Sequence, residues 1–417
     1  MIERHFIRYQ LLRRKRDHMR RLRISVSTFV LILGLQLFGN AAEPILKPGD
    51  TVALVGGTFI ERAQIHGYFE AELLARTTGS ISVRNLGWSG DNVLGESRAV
   101  FGDIANGYKR LLNDHKIAKP TVTLICYGAN EAHGGKDGLE AFEQNLRRLI
   151  ADLSNNSPRI VIVAPREYEY LGPPLPSPVN YNKSLAVYTQ LQKEIANELG
   201  LPFINLATVS PIKKLIAGKR LPDVDPYTSN GVHLTEYGYW CIADQMVSAL
   251  GFEPNLLKLD INVDAMERNS KGLQITIKES RTPHLAPPKY SPDGVMPPTL
   301  GSLSARGLPK GEYEVLIDNV IVAAANSKKL SSGVELVGNY DGELSSQIRY
   351  QIVDKNLLFF HRHRPQNETY LFLFRKHEQG NNAVEVEQFE PLIEAADKRL
   401  AKLTAPSERT LTIRIAK

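Results

Sequence analysis

From residue 51 to residue 250 the chain alternates short apolar runs rich in β-branched residues with amphipathic stretches of helical spacing. This alternation is typical of a parallel sheet, because each parallel strand is buried on both faces and each crossover needs a helix. The predicted strands span residues 51–55, 81–86, 121–127, 159–163 and 202–205, and the predicted helices span residues 61–76, 138–154, 181–199 and 235–250. We therefore predict an α/β fold with three layers, α/β/α, in which ligands bind beyond the carboxyl ends of the strands.

The pattern changes after residue 251, which indicates a second region. A chain of 417 residues also exceeds the roughly 250 to 300 residues at which single cores stop growing. We predict a β-rich region over about 256–340, helices over 344–360 and 389–403, and a last strand over 410–415. The expected domains are residues 43–252 and residues 253–417, after a targeting segment at residues 1–42.

The first 42 residues have the composition of a bacterial export signal, with a basic start, an apolar run over 24–38 and small residues over 39–42. The apolar run is shorter than the roughly 20 residues that span a bilayer. We therefore expect cleavage after Ala41 or Ala42, with an uncleaved signal anchor as the alternative. The expected location is periplasmic or extracellular, and membrane contact is expected only if the leader stays attached.

The formal net charge of +6 is confined to that leader. Residues 1–23 hold nine of the 51 Lys and Arg residues and two of the 45 Asp and Glu residues, which leaves 42 basic against 43 acidic residues elsewhere. Nucleic-acid binding depends on clustered Lys and Arg that neutralise phosphates. We therefore expect no nucleic-acid partner.

Four short blocks lie at the ends of predicted strands or just before the last predicted helix of the first domain. They are Gly56-Gly57-Thr58 after the first strand, Asn85 to Asp91 after the second, Gly128 to Glu131 after the third, and Asn230 to Leu234 before the helix. In order and spacing these blocks resemble those of the SGNH/GDSL hydrolase superfamily, over about residues 50–250. The resemblance implies the flavodoxin-like SGNH-hydrolase form of the predicted α/β/α domain, and acyl transfer by an activated hydroxyl group.

The resemblance also implies a role for each site residue. Thr58 stands where the family has its nucleophilic serine, His233 stands for its base, and Asn230 stands for the aspartate that orients the base. The N–H groups of Gly90 and Thr58 and the side-chain NH₂ of Asn130 stand for the oxyanion hole, in which one donor lowers the barrier by roughly 3 to 4 kcal/mol. The substrate-binding candidates are Gly57, Glu61, Ser89, Asp91 and Glu131.

Two positions depart from the family pattern. The added methyl group of Thr58 crowds the attack path and stiffens χ1. Asn230 lacks the negative charge that stabilises an imidazolium, and the comparable Asp-to-Asn change in a serine-protease triad costs about 10⁴ in rate. The candidates for a replacement acid are Asp223, Asp225 and Glu378.

Thr58 has a second interpretation, because Thr58-Phe59-Ile60-Glu61 matches the S/T-x-x-E capping box of a helix start. In that arrangement the Thr58 hydroxyl accepts from the N–H of Glu61 and is a poor nucleophile. The sequence leaves open whether Thr58 faces His233 or caps its own helix. It also leaves open whether Trp88 stacks on a sugar ring or packs inside the protein.

Residues 361–382 combine His, Arg, Asn and Gln side chains with flanking aromatic residues. The stretch resembles the C-terminal part of exported, planctomycete-type GDSL-like proteins of bacteria. It either folds over the rim and completes the substrate pocket, or binds a partner. Metal ligation by His361, His363 and His377 is a weaker option, because their spacing matches no standard site. We expect no metal and no cofactor.

Together these features predict an exported ester hydrolase that acts on small-molecule or carbohydrate esters, such as O-acyl groups on a polysaccharide. Thr58 and His233 would form its reduced dyad. The alternative is a catalytically silent SGNH-fold protein that holds a glycan or another ligand in the same pocket. The sequence does not indicate the oligomeric state.

Overall fold

The computed structural model describes residues 45–77, 81–206, 227–263, 273–280, 285–289, 291, 298–339 and 341–416. The predicted targeting segment and the acid candidates Asp223 and Asp225 lie outside the described residues. Residues 45–417 form one compact unit.

The centre of this unit is a five-stranded parallel sheet. Its strands are β1 (Thr51–Gly56), β2 (Ser82–Asn85), β3 (Val122–Cys126), β4 (Arg159–Ala164) and β5 (Phe203–Asn205), in the order β2-β1-β3-β4-β5. The central strands β1 and β3 are almost completely buried, as expected for strands covered on both faces. The predicted parallel sheet is confirmed, with each strand within one or two residues of its expected position.

Helices cover both faces of this sheet, which confirms the three-layer α/β/α prediction. They are α1 (Thr58–Ala63), α2 (Tyr68–Arg76), α3 (Ile104–Ala118), α4 (Leu139–Ser154), α5 (Val179–Glu198) and α6 (Glu236–Ala249). Helices α2 and α6 bury Leu73 and Met246 in the core of one face. Helices α3, α4 and α5 bury Leu111, Leu149 and Ile195 in the core of the other face.

Two features of this domain differ from the prediction. The single helix expected over 61–76 is two helices, because Gly67 adopts φ +70° and starts α2 in a new direction. Helix α3 was not predicted, since its apolar residues are sparse and Gly107 interrupts them. A Cβ at Gly107 would lie 2.2 Å from the carbonyl oxygen of Gly95, so glycine permits a close approach between the helix and the preceding loop.

A separate β-rich part follows and confirms the predicted change of character. Its strands are β6 (Leu257–Asn262), β7 (Leu273–Ser280), β8 (Thr299–Arg306), β9 (Glu312–Ile317), β10 (Val320–Asn326), β11 (Val334–Val337) and β12 (Ser407–Ile415), with the short helix α7 (Ser327–Ser332) between β10 and β11. They form a four-stranded sheet, β10-β9-β12-β7, and a three-stranded sheet, β11-β8-β6. The two sheets share one apolar core that includes Leu303, Val315 and Leu411.

The remaining helices are α8 (Gly342–His363), α9 (Glu368–Leu371), α10 (Lys376–Gln379) and α11 (Phe389–Leu403), with a 3₁₀ segment at Gly380–Gln388. Helix α8 contributes Ile352 to one core of the parallel sheet and Phe359 to the other. The C-terminal helices therefore complete the first domain's core, and the expected domain boundary at residues 252–253 stays a prediction. Of the helices in the described ranges, none is both long and apolar enough to cross a membrane.

Candidate active site

A cavity of about 210 Å³ lies at the carboxyl ends of β1, β3 and β4. This is the edge at which ligands bind in open parallel sheets. The predicted site residues that line it are Gly57, Thr58, Asp91, Asn130, Glu131 and His233. The structure therefore brings together residues that are up to 176 positions apart in the sequence.

Thr58 is the first residue of α1, two residues after the end of β1. Its Oγ1 accepts a hydrogen bond from the N–H of Gly90 at 3.0 Å. The predicted capping box does not form: the N–H groups of Ile60 and Glu61 bond to the Gly57 carbonyl instead. The Thr58 hydroxyl is thus beside a backbone donor of the predicted oxyanion hole, and its own helix does not use it.

Gly90 is hydrogen-bonded to Thr58, and Asn130 lines the cavity. Gly90 adopts φ +74°, in the left-handed region, and this conformation turns its N–H toward Thr58. The Asn130 side chain donates one N–H to the Asp91 carbonyl at 2.7 Å. A side-chain amide carries two N–H donors, so its second N–H is available to a ligand in the cavity that Asn130 lines.

His233 lies in the turn before α6 and lines the same cavity. The Thr58 hydroxyl and the His233 ring are both described, and no hydrogen bond joins them. Asn230 holds this turn through its Oδ1, which accepts from the N–H of Val232 at 3.0 Å and from the N–H of His233 at 2.8 Å. Its Nδ2 lies 3.4 Å from His233 Nδ1. Since two backbone donors fix Oδ1, the amide presents a donor to Nδ1, where an aspartate would present an acceptor.

The electrostatic environment of His233 favours the neutral ring. Burial lowers the pKa of His233 below its usual 6.5, and the cations Arg62 and Arg166 lower it further. The replacement acid Glu378 does not reach the site, because it is exposed and paired with Arg375 through two oxygen–nitrogen contacts of 2.5 and 2.8 Å. The ring is therefore a weak base in a cationic pocket.

Asp91 and Glu131 line the cavity and also hold its loops together. Asp91 Oδ2 accepts from Arg98 Nε and from the Tyr127 hydroxyl, both at 2.7 Å, in a fully buried ion pair. Glu131 accepts from the backbone N–H groups of Val93 at 2.9 Å and Gly128 at 2.8 Å. Burial raises the pKa of Glu131. These hydrogen bonds fix both side chains in the cavity wall.

Ser89 and Glu61, the two other predicted substrate-binding residues, do not line the cavity. The Ser89 hydroxyl donates to Glu61, and Glu61 also pairs with Arg364 at 2.8 Å. Arg364 in turn stacks on Trp88, with its guanidinium carbon 3.6 Å from the ring centroid. Trp88 is only 5% exposed. It packs inside the protein, so stacking of Trp88 on a sugar ring is excluded in this structure.

The stretch 361–382 contacts the first domain without lining the Thr58 cavity. Besides the Arg364 contacts, Glu368 accepts from Arg110 of α3. The stretch instead walls a second, larger cavity of about 870 Å³, between α3 and residues 362–387. The prediction that it completes the substrate pocket is therefore wrong for this cavity. Its histidines, like the other described His, Cys, Asp and Glu residues, form no cluster that could hold a metal.

Several residues of the cavity were not predicted. They are Phe59, Cys126, Pro165, Arg166, Tyr168 and Tyr239. A sequence signal existed for one of them, because Arg166 follows the carboxyl end of β4 by two residues, at the sheet edge where ligands bind.

Comparison with known proteins agrees with this geometry. Residues 57–241 match the GDSL-like lipase/acylhydrolase family. A gut microbial diltiazem-metabolizing enzyme has a similar structure, with a TM-score of 0.61 and 14% identity over 89% of this chain and 98% of that chain. An acetylxylan esterase from Geobacillus stearothermophilus is 18% identical, and the match covers 49% of this chain and 96% of the esterase, with a TM-score of 0.38.

An α/β hydrolase from the metagenome of Lake Arreo, Spain, is 17% identical over 50% of this chain and 98% of its own, with a TM-score of 0.38. No curated protein matches the chain. The first of these likenesses shows a shared fold that extends over the C-terminal region as well as the sheet domain.

Proposed function

Because the chain contains a GDSL-like lipase/acylhydrolase domain at residues 57–241, we propose that it is an ester hydrolase with Thr58 as its nucleophile. One observation carries this proposal: Thr58 Oγ1 lies 3.0 Å from the Gly90 nitrogen, in a cavity that also contains Asn130 and His233. A hydroxyl beside preorganised donors and a histidine is the arrangement that acyl transfer needs.

In the proposed reaction Thr58 Oγ attacks the ester carbonyl carbon while His233 takes the hydroxyl proton. The oxyanion of the tetrahedral intermediate accepts from the N–H groups of Gly90 and Thr58 and from the Asn130 amide. Collapse of this intermediate expels the alcohol, which receives the proton from His233 and leaves an acyl group on Thr58. A water molecule, deprotonated by His233, then hydrolyses this acyl group and regenerates the hydroxyl.

We further propose that the substrate lies outside the cytoplasm and is an acyl ester of a carbohydrate or a small molecule. The support is the composition of residues 1–42, which has the basic, apolar and small-residue parts of an export signal. A cavity of about 210 Å³ suits a short acyl group such as acetyl together with a few atoms of the alcohol.

A second candidate function is ligand binding without hydrolysis. The Asn230 amide favours it, because Nδ2 faces His233 Nδ1 and the described residues supply no carboxylate to the ring. Such a protein would bind an ester or glycan in the same cavity and release it unchanged.

The test compares release of 4-nitrophenol from 4-nitrophenyl acetate, and of acetate from acetylated xylan, by the native protein and single variants. Native turnover is expected to exceed that of Thr58→Ala and His233→Ala, whereas Thr58→Ser keeps or raises it because the crowding methyl is gone. An organophosphonate is expected to label Thr58. Native turnover equal to that of Thr58→Ala on every ester would favour the binding function, and labelling of Ser89 would contradict the assignment of the nucleophile.

A further inference from the structure

Arg62 lines the Thr58 cavity without a partner of opposite charge. It lies on α1, four residues after Thr58. Among the described residues it has no ion pair, and its Nε is buried with no hydrogen-bond partner. An unsatisfied buried donor costs stability unless a ligand satisfies it, so this side chain lacks a structural explanation.

Arg166 is a second cation on the same cavity, in the loop after β4. Only 7% of it is exposed, and it donates to two backbone carbonyls, that of Glu167 at 2.7 Å and that of Val232. Among the residues that the structure describes, no carboxylate lies within ion-pair distance of its guanidinium. These carbonyls fix the orientation of the side chain, and its positive charge interacts with the nearby Glu169 without a direct ion pair.

Other arginines of this domain that are largely buried have carboxylate partners. Arg98 pairs with Asp91 at 2.7 Å and Arg76 pairs with Glu72 at 2.5 Å. Arg364, which lies outside the cavity, pairs with Glu61 at 2.8 Å. Burying a charge is costly unless it is paired, so Arg62 and Arg166, which form no ion pair with a described residue, differ from these three arginines.

The acids of the cavity wall do not neutralise this charge. Asp91 is already bonded to Arg98 and Tyr127, and Glu131 is held by two backbone N–H groups. The ring of His233 lies beside the same two arginines and adds no negative charge. The cavity therefore presents positive charge to whatever enters it.

We propose that Arg62 and Arg166 bind a carboxylate group of the substrate, so that the preferred ester is an acylated hydroxy acid. A guanidinium offers a planar fork of donors that matches a carboxylate, and the buried Nε of Arg62 would gain an acceptor. For its reaction step this inference rests on the proposed ester hydrolysis. The binding of the anion does not depend on it.

The binding test separates the anion site from catalysis. Calorimetry measures the Kd of 4-hydroxybenzoate and of its neutral analogue 4-hydroxybenzamide for Thr58→Ala protein, which cannot form an acyl-enzyme. The benzoate is expected to bind at least about tenfold more tightly, since loss of a buried charge pair costs that much or more. Arg62→Gln and Arg166→Gln in the same background should each lose most of that preference, Arg62→Lys should keep part of it, and the exposed control Arg306→Gln should keep all of it.

The kinetic test uses the corresponding acetyl esters, 4-acetoxybenzoate and 4-acetoxybenzamide, with acetate release as the readout. Arg62→Gln is expected to raise KM for the anionic ester by about tenfold or more and to raise KM for the neutral ester far less. Equal binding of benzoate and benzamide would overturn the inference. So would an equal loss of kcat on both esters, which would assign Arg62 to the oxyanion. If the benzoate preference holds while neither ester is hydrolysed, the anion site stands and the proposed hydrolase function fails.

Discussion

Asn230 controls the direction of the hydrogen bonds around His233. Its Oδ1 is occupied by two backbone N–H groups, so its NH₂ group faces Nδ1 of the ring at 3.4 Å. A neutral ring that accepts at Nδ1 carries its proton on Nε2, which then cannot take a proton from Thr58. The native dyad must therefore change the tautomer of His233 before each turnover, and we expect a slow enzyme.

The pH dependence of the native enzyme follows from the low pKa of His233. Burial, together with Arg62 and Arg166, lowers this pKa below 6.5. A base acts only when it is neutral, so kcat/KM for a neutral ester should persist as the pH falls through 6.5 and decline only at lower pH.

A pH–rate profile with 4-nitrophenyl acetate checks this prediction. Arg62→Gln removes one of the cations that lower the pKa of His233, so its acidic limb should move toward higher pH. A native limb centred above pH 6.5 would contradict the electrostatic account of the site.

The positions of Thr58 and Asn130 were predictable from the sequence, because both follow parallel strands, which end at one edge of the sheet. His233, in the turn before α6, lines the same cavity, and only the resemblance to the family indicated this. The local pattern at Glu61 allowed a capping box, but Ser89 and Arg364 bond to that carboxylate. These partners are far along the chain, and no local rule reveals them. A single arginine such as Arg62 forms no pattern in the sequence, and only the structure shows that its charge lacks an ion-pair partner among the described residues.

At the level of secondary-structure elements, α8 covers an edge of the parallel sheet that would otherwise be exposed. Strand β2 is the edge strand, and its Val83 carbonyl accepts from Lys355 Nζ of α8 at 3.0 Å. Lys355 is completely buried and also pairs with Glu70 of α2. Arg84 of the same strand pairs with Asp397 of α11 at 2.6 Å. Covering an edge in this way prevents its unpaired backbone groups from joining another chain.

Lys355→Met is expected to destabilise the protein strongly. It leaves the Glu70 carboxylate buried without its partner, a change that costs about 3 to 5 kcal/mol in comparable ion pairs. Urea denaturation should show this loss. Glu70→Leu/Lys355→Met should recover most of it, because both charges are gone, whereas the exposed control Lys398→Met should stay within about 0.5 kcal/mol of the native protein.

The loss of stability in Lys355→Met should also depend on pH. Burial raises the pKa of Glu70, and removing Lys355 removes a charge that opposes this rise. A folded-state pKa above the unfolded value means that the native state binds more protons, so stability of Lys355→Met should increase as the pH is lowered. A Lys355→Met variant as stable as the Lys398→Met control at neutral pH would contradict the importance of this ion pair.

The elements themselves were largely predictable, since β-branched runs mark the buried strands and amphipathic spacing marks α4, α5, α8 and α11. The packing of α8 and α11 against the edge strand β2 was not predictable. The apolar face of each helix could pack against any core, and the sequence does not indicate which core it is. From its neighbours in the sequence, Lys355 is expected to be an ordinary solvated lysine. Its burial becomes clear only when Glu70 is seen to lie beside it.

On the scale of the whole molecule, the helices that follow the β-rich part in the sequence pack into the cores of the first domain, whereas the β-rich part has a core of its own. The two smaller sheets have their own apolar cluster. The helices that follow contribute Ile352, Phe359 and Ile393 to the clusters on the two faces of the parallel sheet. The sheet domain and the C-terminal region are therefore joined by shared cores as well as by the chain.

A protein consisting of residues 45–252 is expected not to fold into a stable domain. It would lack the cover of β2 and would expose the apolar surface around Leu74 and Val83, and Glu70 and Arg84 would lose their partners. Thermal unfolding followed by near-UV circular dichroism should show no cooperative transition, in contrast to residues 45–417. A sharp transition in the shorter protein would mean that the sheet domain is independent of the C-terminal helices.

The most direct test of the account is kcat/KM of Asn230→Asp on 4-nitrophenyl acetate. A carboxylate keeps an oxygen for the N–H groups of Val232 and His233 and presents another to Nδ1, which stabilises the tautomer and the imidazolium that catalysis needs. The expected result is a gain of about 10² or more, up to about the 10⁴ of the reverse change in a serine-protease triad, with the acidic limb moved to higher pH. The gain should disappear in Thr58→Ala/Asn230→Asp. An unchanged or lower kcat/KM in a folded Asn230→Asp protein would contradict the assignment of Thr58 and His233 as a catalytic dyad.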